Sequence, residues 1–345
     1  MRAAITSIAH YVPPDVVSNA SFEGRLDTTD EWIRDRTGIT ERRILKQGAT
    51  SDLIVPAAIE CLANRGLSPD EVDCVIVATI TPDQPCPSTA AIVQRKIGAR
   101  HAWGFDLAAA CSGFLFGLVT ARALVESGAA RRVLLCAGDK MSAITNVGDR
   151  LTAVLLGDAG TATLVEASDD PLVGIHDHEL WMDGDGASLL GVPAGGSARP
   201  ASIATVAAHE HALHQNGQAV FKAAVCRMAE VSSTLLRRNG MGADDLAWFV
   251  PHQANLRIIE AVGKRLGVPG HKVMSNVDRF GNTSAASIPL CLSEWRQRGL
   301  LHRGDKVVLT SFGAGFTAGS VYMSWAAQPV TDQLGLRELA AASAL

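Results

Sequence analysis

Apolar residues along the chain fall into two recurring patterns. Continuous apolar runs, the mark of strands buried on both faces, stand at residues 2–9, 74–79, 132–138 and 305–313. Between them lie stripes at helical spacing. One is Leu53, Ile54, Ala57, Ala58, Cys61 and Leu62; another is the Leu, Phe, Val and Ala run after Cys111. Thr28-Thr-Asp-Glu-Trp-Ile-Arg-Asp-Arg-Thr37 opens a helix, with Thr or Asp as its cap and acidic residues in its first turn. Pro82, Pro85 and Pro87 make residues 81–88 a rigid loop, and a helix then runs to Gly98. Residues 151–166 read as two further strands joined at Gly157-Asp-Ala-Gly160. Residues 183–200, rich in Gly, Ala, Ser and Pro, have no period and read as a surface loop or linker.

The second half of this pattern repeats the first. Ala243-Asp-Asp-Leu-Ala-Trp-Phe-Val-Pro251 echoes Pro69-Asp-Glu-Val-Asp-Cys-Val-Ile-Val77, and each is followed by a loop and a helix ending in Gly. Ser275 to Ser287, its helix and the strand to Gly313 echo the strand and helix around Cys111 and the strand to Gly138. An offset near 170–175 positions throughout predicts one α/β unit used twice: residues 1–172, residues 173–327, and an extension over 328–345. Two such units packed together set matching loops around one cleft, where Cys111 of the first half can meet His252 and Asn282 of the second.

Composition narrows the function. With 345 residues, 47% apolar and 19% charged, the chain can bury a large core. A net charge of −4 speaks against a dedicated nucleic-acid binder. Seven scattered cysteines without a CxxC suit a reducing compartment. There is no apolar run near the ~20 residues of a membrane span and no signal-peptide core, so the expectation is a cytoplasmic protein that engages no membrane. His209-Glu-His-Ala-Leu-His214 and His176-Asp-His178 lack a matching ligand set, so no metal is expected. Cys61, Cys74, Cys136, Cys226 and Cys291 sit in apolar runs and are expected in the core.

Candidate chemistry centres on Gly104-Phe-Asp-Leu-Ala-Ala-Ala-Cys-Ser-Gly-Phe-Leu-Phe-Gly117, a strand, a small-residue turn and a helix. A thiol at a helix N-terminus meets free N–H groups and the positive end of the dipole, which favours thiolate. A buried structural Cys among small residues is the plain alternative. Val250-Pro-His-Gln-Ala-Asn-Leu256 and Phe280-Gly-Asn-Thr-Ser-Ala-Ala-Ser287 favour the nucleophile. A Cys can take an acyl group from a thioester. Decarboxylation of a malonyl group then generates an enolate, and a His N–H with an Asn amide are suitable donors to its oxygen. A papain-like protease would instead use Asn to orient His. Phe312-Gly-Ala-Gly-Phe-Thr-Ala-Gly319 offers N–H groups for a second oxyanion; its spacing is not that of a dinucleotide fingerprint.

These motifs, together with Thr29-Asp-Glu-Trp-Ile-Arg and Arg36-Thr-Gly-Ile, resemble those of the β-ketoacyl-acyl carrier protein synthase III family of the thiolase superfamily over residues 1–325. The resemblance implies a thiolase-like five-layer αβαβα fold of two duplicated halves, a homodimer, and decarboxylating Claisen condensation of an acyl-CoA with malonyl-acyl carrier protein at the start of fatty acid synthesis. It implies Cys111 as acyl acceptor, His252 and Asn282 as the decarboxylation pair, and the backbone N–H groups of Cys111 and Ala314 as oxyanion hole. It maps the coenzyme A tunnel onto Trp32, Arg36, Thr37, Arg150, Gly217, Phe221, Ala224, Asn255 and Ile258, and the acyl pocket onto Cys86 and Phe312. Coenzyme A enters as substrate, with no resident cofactor. Lys222, Arg257, Lys264 and Arg265 are candidates for docking the carrier protein, or are simply solvated helix surface. Elongating relatives use two His and thiolases a second Cys, so Cys-His-Asn points to the initiating type. Cys86 stands where the family often has Phe, on a loop that caps the partner subunit's acyl pocket, which suggests a roomier pocket. Ala318 replaces a common Trp. Acyl transfer or condensation in a specialised natural-product pathway, and a non-catalytic thioester-binding partner, are the competing readings.

Overall fold

The computed structural model describes residues 1–327; the extension over 328–345 lies outside the described residues. In chain order the first half holds β1 (Arg2–Tyr11), β2 (Val16–Ser18), α1 (Asp30–Thr37), β3 (Glu41–Arg43), α2 (Thr50–Arg65), β4 (Cys74–Ala78), α3 (Thr89–Ile97), β5 (Trp103–Leu107), α4 (Gly113–Glu126), β6 (Arg132–Asp139), α5 (Arg150–Ala153) and β7 (Ala159–Ser168). The second holds β8 (Gly174–Met182), β9 (Leu190–Gly191), α6 (Ile203–Ala207), β10 (His214–Gln215), α7 (Gly217–Arg238), β11 (Trp248–Pro251), α8 (Leu256–Leu266), α9 (Val277–Phe280), α10 (Ser287–Gln297), β12 (Lys306–Gly313) and β13 (Thr317–Ser324).

The two halves share one topology. The first sheet runs β1-β7-β6-β4-β5 and the second β8-β13-β12-β11, with β4/β5, β4/β6 and β11/β12 parallel and the other pairs antiparallel. A parallel bridge from Phe249 to Val273 marks the place of a fifth strand beside β11, as β5 lies beside β4. Helices α4 and α10 lie between the sheets. Phe114, Leu115 and Leu118 of α4 and Ile288, Leu292 and Trp295 of α10 share one core with Ile76 and Leu135 of the first sheet and Val250 and Leu309 of the second. α2 and α3 cover the outer face of the first sheet, and α7 and α8 that of the second. The result is the expected five layers, αβαβα. Because both sheets are covered on both faces, their strands read as continuous apolar runs rather than alternations.

The repeat is closer than its sequence suggested in one place and looser in another. Arg132 and Lys306, which open β6 and β12, are 174 positions apart, and so are Gly113 and Ser287, which open α4 and α10. The offset falls to 158 between the starts of β7 and β13, because residues 140–158 connect β6 to β7 where residues 314–316 suffice in the second half.

That long connection is where the strand expectation fails. Asp149 caps α5, accepting from the Leu151 N–H at 2.9 Å and the Thr152 hydroxyl at 2.6 Å. Beyond it, Leu156 makes only an isolated bridge, to Asn282. Residues 157–160 are not a hairpin turn either. Asp158 is fully buried and accepts from the N–H groups of Leu45 and Ser142, each at 2.8 Å, and from the Ser142 hydroxyl at 2.7 Å. A short apolar run is ambiguous between strand and helix, and the caps decide it. Cys226 is a second correction: it is half-buried on α7, 3.3 Å from Arg265 Nη1, while Cys61, Cys74, Cys136 and Cys291 are buried as expected. His211 bonds Thr205 at 2.9 Å and His214 bonds the His209 carbonyl at 3.2 Å, so this run ties its own loop. Among the described residues no group of three or more His, Cys, Asp or Glu side chains is placed to hold a metal ion, and no helix is long and apolar enough to cross a membrane.

α2 packs on β7 at its closest at Gly160. A Cβ there would sit 2.2 Å from the Leu53 carbonyl oxygen and 2.7 Å from the Ile54 nitrogen, both backbone atoms. Gly160→Ala is expected to destabilise the protein by about 1–3 kcal/mol. Gly196→Ala, where nothing lies within 4 Å, should stay within about 0.5 kcal/mol of the parent. Equal urea midpoints for the two variants would refute this packing.

Candidate active site

Cys111 lies in a 3-10 turn, Ala110–Ser112, that leads into α4. Ala110 is left-handed, with φ of 48°, a conformation rare outside glycine. The second half grips this turn. The Ser311 hydroxyl donates to the Cys111 carbonyl at 2.8 Å, and the Thr317 hydroxyl donates to the Ala109 carbonyl at 3.1 Å. A Cβ on Gly313 would meet the Cys111 nitrogen at 2.8 Å, so glycine lets the end of β12 press against the turn. The helix start was expected to favour thiolate. Burial outweighs it: with a smaller contribution from the Asp139 carboxylate, it pushes the Cys111 thiol up to about 12. The resting group is the thiol.

His252 follows β11, and its N–H donates to the Thr310 carbonyl at 2.8 Å. Its ring is buried, with Nδ1 2.7 Å from the Ser287 hydroxyl. Burial lowers its pKa to about 3, so the imidazole is neutral. Asn282 is held on both sides of its backbone: its N–H donates to the Leu155 carbonyl at 2.8 Å, and its carbonyl accepts from Gly157 at 3.1 Å. Its side-chain Oδ1 accepts the Ser284 N–H at 2.9 Å. That bond settles the amide's orientation and leaves Nδ2 as the group with hydrogens to offer.

These three residues line one cavity of about 610 Å³. Its lining includes the apolar side chains of Ile80, Met141, Leu156, Leu190, Leu213 and Phe312. All nine residues assigned to the coenzyme A tunnel border it, from Trp32, Arg36, Thr37 and Arg150 on one side to Gly217, Phe221, Ala224, Asn255 and Ile258 on the other; Ala314 and Arg257 border it too. Arg150 lies over the Trp32 ring, 4.9 Å from its centre, and pairs with Asp27 at 3.0 Å. Arg257 lies over Phe221 at 5.8 Å. Asn255 caps α8 and donates its amide to the Arg36 carbonyl at 3.0 Å, joining the two sides. Lys222, Lys264 and Arg265 do not border the cavity; they are exposed on α7 and α8. Cys86 does not border it either and is exposed on the 81–88 loop.

Three contributors escaped the sequence reading. Ser287 ends a quoted motif but carried no assigned role. Ser284, with φ of 52°, is buried and turns the backbone so that its N–H meets Asn282. Asp139 is fully buried, and one oxygen accepts from Thr79, Ile80 and Thr81 at 2.8 to 3.2 Å while the other faces the Ala285 N–H at 3.4 Å. It ties the ends of β4 and β6 to the turn after Asn282. A lone Asp at the end of an apolar strand was the available signal.

Residues 105–184 match the sequence model of the 3-oxoacyl-[acyl-carrier-protein] synthase III family, and residues 236–325 match that of the same enzyme's C-terminal region. The β-ketoacyl-[acyl-carrier-protein] synthase III of Chlorobium chlorochromatii is 51% identical over 328 residues, 94% of this chain and 100% of the relative. The solved structure of the synthase III from Thermus thermophilus aligns with a TM-score of 0.86 and 42% identity, over 93% of this chain and 99% of that one. The priming β-ketosynthase of the R1128 polyketide pathway aligns with a TM-score of 0.86 and 34% identity, over 95% and 97%. The chain belongs to the β-ketoacyl-[acyl-carrier-protein] synthase III family, a family of condensing acyltransferases with the thiolase fold.

The neutral state of His252 has a pH signature. Its folded pKa lies below its unfolded value of about 6.5, so the unfolded chain binds the extra proton first. The stability this gives is fully present above pH 6.5 and drains away as pH falls toward 3. His252→Gln should flatten the stability profile between about pH 6.5 and 3 relative to the parent, measured by urea unfolding. The kcat/KM profile of the parent should show no acid limb near pH 6.5 from this ring; a limb there that disappears with His252→Gln would contradict the burial argument.

Proposed function

We propose that this chain condenses an acyl-CoA primer with malonyl-acyl carrier protein, releasing CO₂ and giving β-ketoacyl-acyl carrier protein, the initiating step of fatty acid synthesis. One observation carries the reading: the Cys111 thiol from one half of the fold and the His252 ring and Asn282 amide from the other border the same cavity. In the first step Cys111 attacks the primer thioester. The carbonyl oxygen takes up charge against the backbone N–H groups of Cys111 and Ala314, coenzyme A leaves as thiolate, and the thiol proton passes to it. No resident acid, metal or cofactor is needed for this balance. In the second step malonyl-acyl carrier protein loses CO₂, and the enolate oxygen is held by His252 Nε2–H and Asn282 Nδ2–H. Its carbon attacks the acyl–Cys111 carbonyl, and collapse expels the Cys111 thiolate, which takes a proton from water as the product leaves. Removing one such donor costs on the order of 10²–10³ in kcat.

The surroundings support the partners. Trp32 and Arg150 present a planar cation–ring pair for the adenine, and Arg36 a cation for phosphate, at the cavity mouth. Lys222, Lys264 and Arg265 have no ion-pair partner among the described residues and, with Arg257, make a basic face on α7 and α8 for the acidic carrier protein. β5 is an unpaired sheet edge whose Trp103 is 47% exposed and stacks on Phe105, a surface that a second copy would continue. In that homodimer Cys86, which does not border its own cavity, would reach the partner's acyl pocket opposite Phe312. The halves divide at residues 172 and 173, and seven free thiols suit the cytoplasm. A specialised pathway like that of the R1128 synthase would use the same site with another primer.

Intact mass after brief mixing with acetyl-, isobutyryl- or octanoyl-CoA, then with malonyl-acyl carrier protein, tests the reading. The acyl mass should load on Cys111 and discharge as β-ketoacyl product. Loading without discharge would favour simple acyl transfer, and no loading would favour a non-catalytic partner protein. If Cys86 widens the pocket, Cys86→Phe should cut loading of the longer primers but not of acetyl; a steep fall beyond acetyl in the parent would sink that idea. Lys264→Glu with Arg265→Glu should raise KM for malonyl-acyl carrier protein about tenfold and leave loading by acyl-CoA unchanged. An unchanged KM would return these residues to plain surface.

A further inference from the structure

The condensation proposed above requires His252 to offer a hydrogen from Nε2. Neutral imidazole has two tautomers, and the partner of the other nitrogen decides between them. That partner is Ser287, its Oγ 2.7 Å from Nδ1, with both side chains buried. Ser287 Oγ also receives the Gln253 N–H at 3.4 Å. Among the described residues the hydroxyl has no other hydrogen-bond partner.

The hydrogens can be placed in only one satisfied way. If Nδ1 carried the ring hydrogen and gave it to Ser287, the serine oxygen would accept two hydrogens. Its own hydrogen would then be buried with no acceptor, and the ring would turn a bare lone pair toward the cavity. If instead the serine hydroxyl donates to Nδ1, the serine hydrogen has its acceptor, and Nε2 carries a proton on the cavity side. A buried donor without an acceptor disfavours the first arrangement by on the order of 10- to 100-fold. Burial of the ring keeps the choice between two neutral forms, because the cation is excluded.

Geometry fixes Ser287 as firmly as the ring. It is the first residue of α10, set by the turn that runs from Asn282 through left-handed Ser284. Gln253, next to His252, is locked as well: its amide donates to the Pro251 carbonyl at 2.7 Å and the Met274 carbonyl at 3.2 Å, and its Oε1 accepts the Asn276 N–H at 3.0 Å. The segment bearing the ring and the helix bearing the hydroxyl therefore meet in one register.

We infer that Ser287 is a positioning residue that holds neutral His252 with its proton on Nε2. The tautomer is a property of the protein itself; its consequence for rate rests on the condensation reading. The test is nitrogen-15 NMR of histidine-labelled full-length protein without substrate, with His252 assigned by the resonance lost in His252→Gln. The parent should show a protonated Nε2 and an unprotonated, hydrogen-bonded Nδ1, whereas Ser287→Ala should show a mixture of tautomers or reversal. In the same variant, acetyl loading on Cys111 should stay within about twofold while discharge by malonyl-acyl carrier protein slows on the order of 10- to 100-fold. Ser287→Thr, which keeps the hydroxyl, should recover most of that loss. A proton on Nδ1 in the parent overturns the inference, even if Ser287→Ala fails to fold. An unchanged tautomer and unchanged discharge in Ser287→Ala overturn it too. If the parent shows the Nε2 proton but never discharges its acyl group, the condensation reading fails while the tautomer assignment stands.

Discussion

Two tight turns packed face to face organise the molecule. Ala110–Ser112 and Ser284–Ala286 open the two central helices, 174 positions apart, and each begins with a left-handed residue that is not glycine. Such a conformation costs an L-residue roughly 1–2 kcal/mol. Its occurrence at the same place in both halves marks it as part of the repeated unit. In the first half the turn delivers a thiol. In the second the same turn delivers the N–H that orients Asn282, and one residue later the hydroxyl that meets His252. The halves differ in side chains on a shared backbone.

Burial then sets the electrostatics. Burial between two sheets and two helices raises the Cys111 thiol and lowers the His252 imidazolium, so the site rests as thiol and neutral ring. The charges of the reaction appear only when substrate is present, opposite donors already in place. This arrangement suits a reaction whose anions are transient: fixed N–H groups in a dry cavity act more strongly than they would in water. Many of the buried polar atoms here have partners, although Arg42 Nε and Ser284 Oγ have none among the described residues. Asp139 accepts four hydrogen bonds on one oxygen, and Arg42, fully buried with its pKa lowered to about 10 by that burial, donates to Asn19 and to the carbonyls of Val17 and Val154 beneath the same loops.

The layers, the repeat and the Cys-His-Asn trio were legible because each leaves a local mark. Doubly covered strands leave apolar runs, duplication leaves an offset, and reactive residues sit in small-residue motifs. What stayed hidden depends on contacts far apart in sequence. Residues 151–156 look like strand, and only Asp149 and the bond network around Asp158 make them otherwise. The acidic field on Cys111 comes from Asp139, at the end of a different strand. Ser287 lies in plain view in its motif, but its partner is 35 positions away, and nothing local says that a serine there faces a ring nitrogen.

The distribution of the cavity walls follows from the duplication. The reacting groups come from elements present in both halves: the helix-opening turns and the ends of the central strands. Much of the remaining cavity lining comes from connections, and α7 and α8 supply most of the rest. Trp32, Arg36 and Thr37 belong to the segment between β1 and α2, and Leu190 and Leu213 to the matching segment between β8 and α7. Arg150, Leu155 and Leu156 belong to residues 140–158, for which the second half has only a three-residue turn. A repeated core fixes positions to within its packing, so it can hold a nucleophile and two donors against one another. Connections tolerate change, because their replacement leaves both sheets intact. On the reading proposed above, the repeated part of the chain holds the reacting groups, and the substrate wall is shared between the connections and helices α7 and α8.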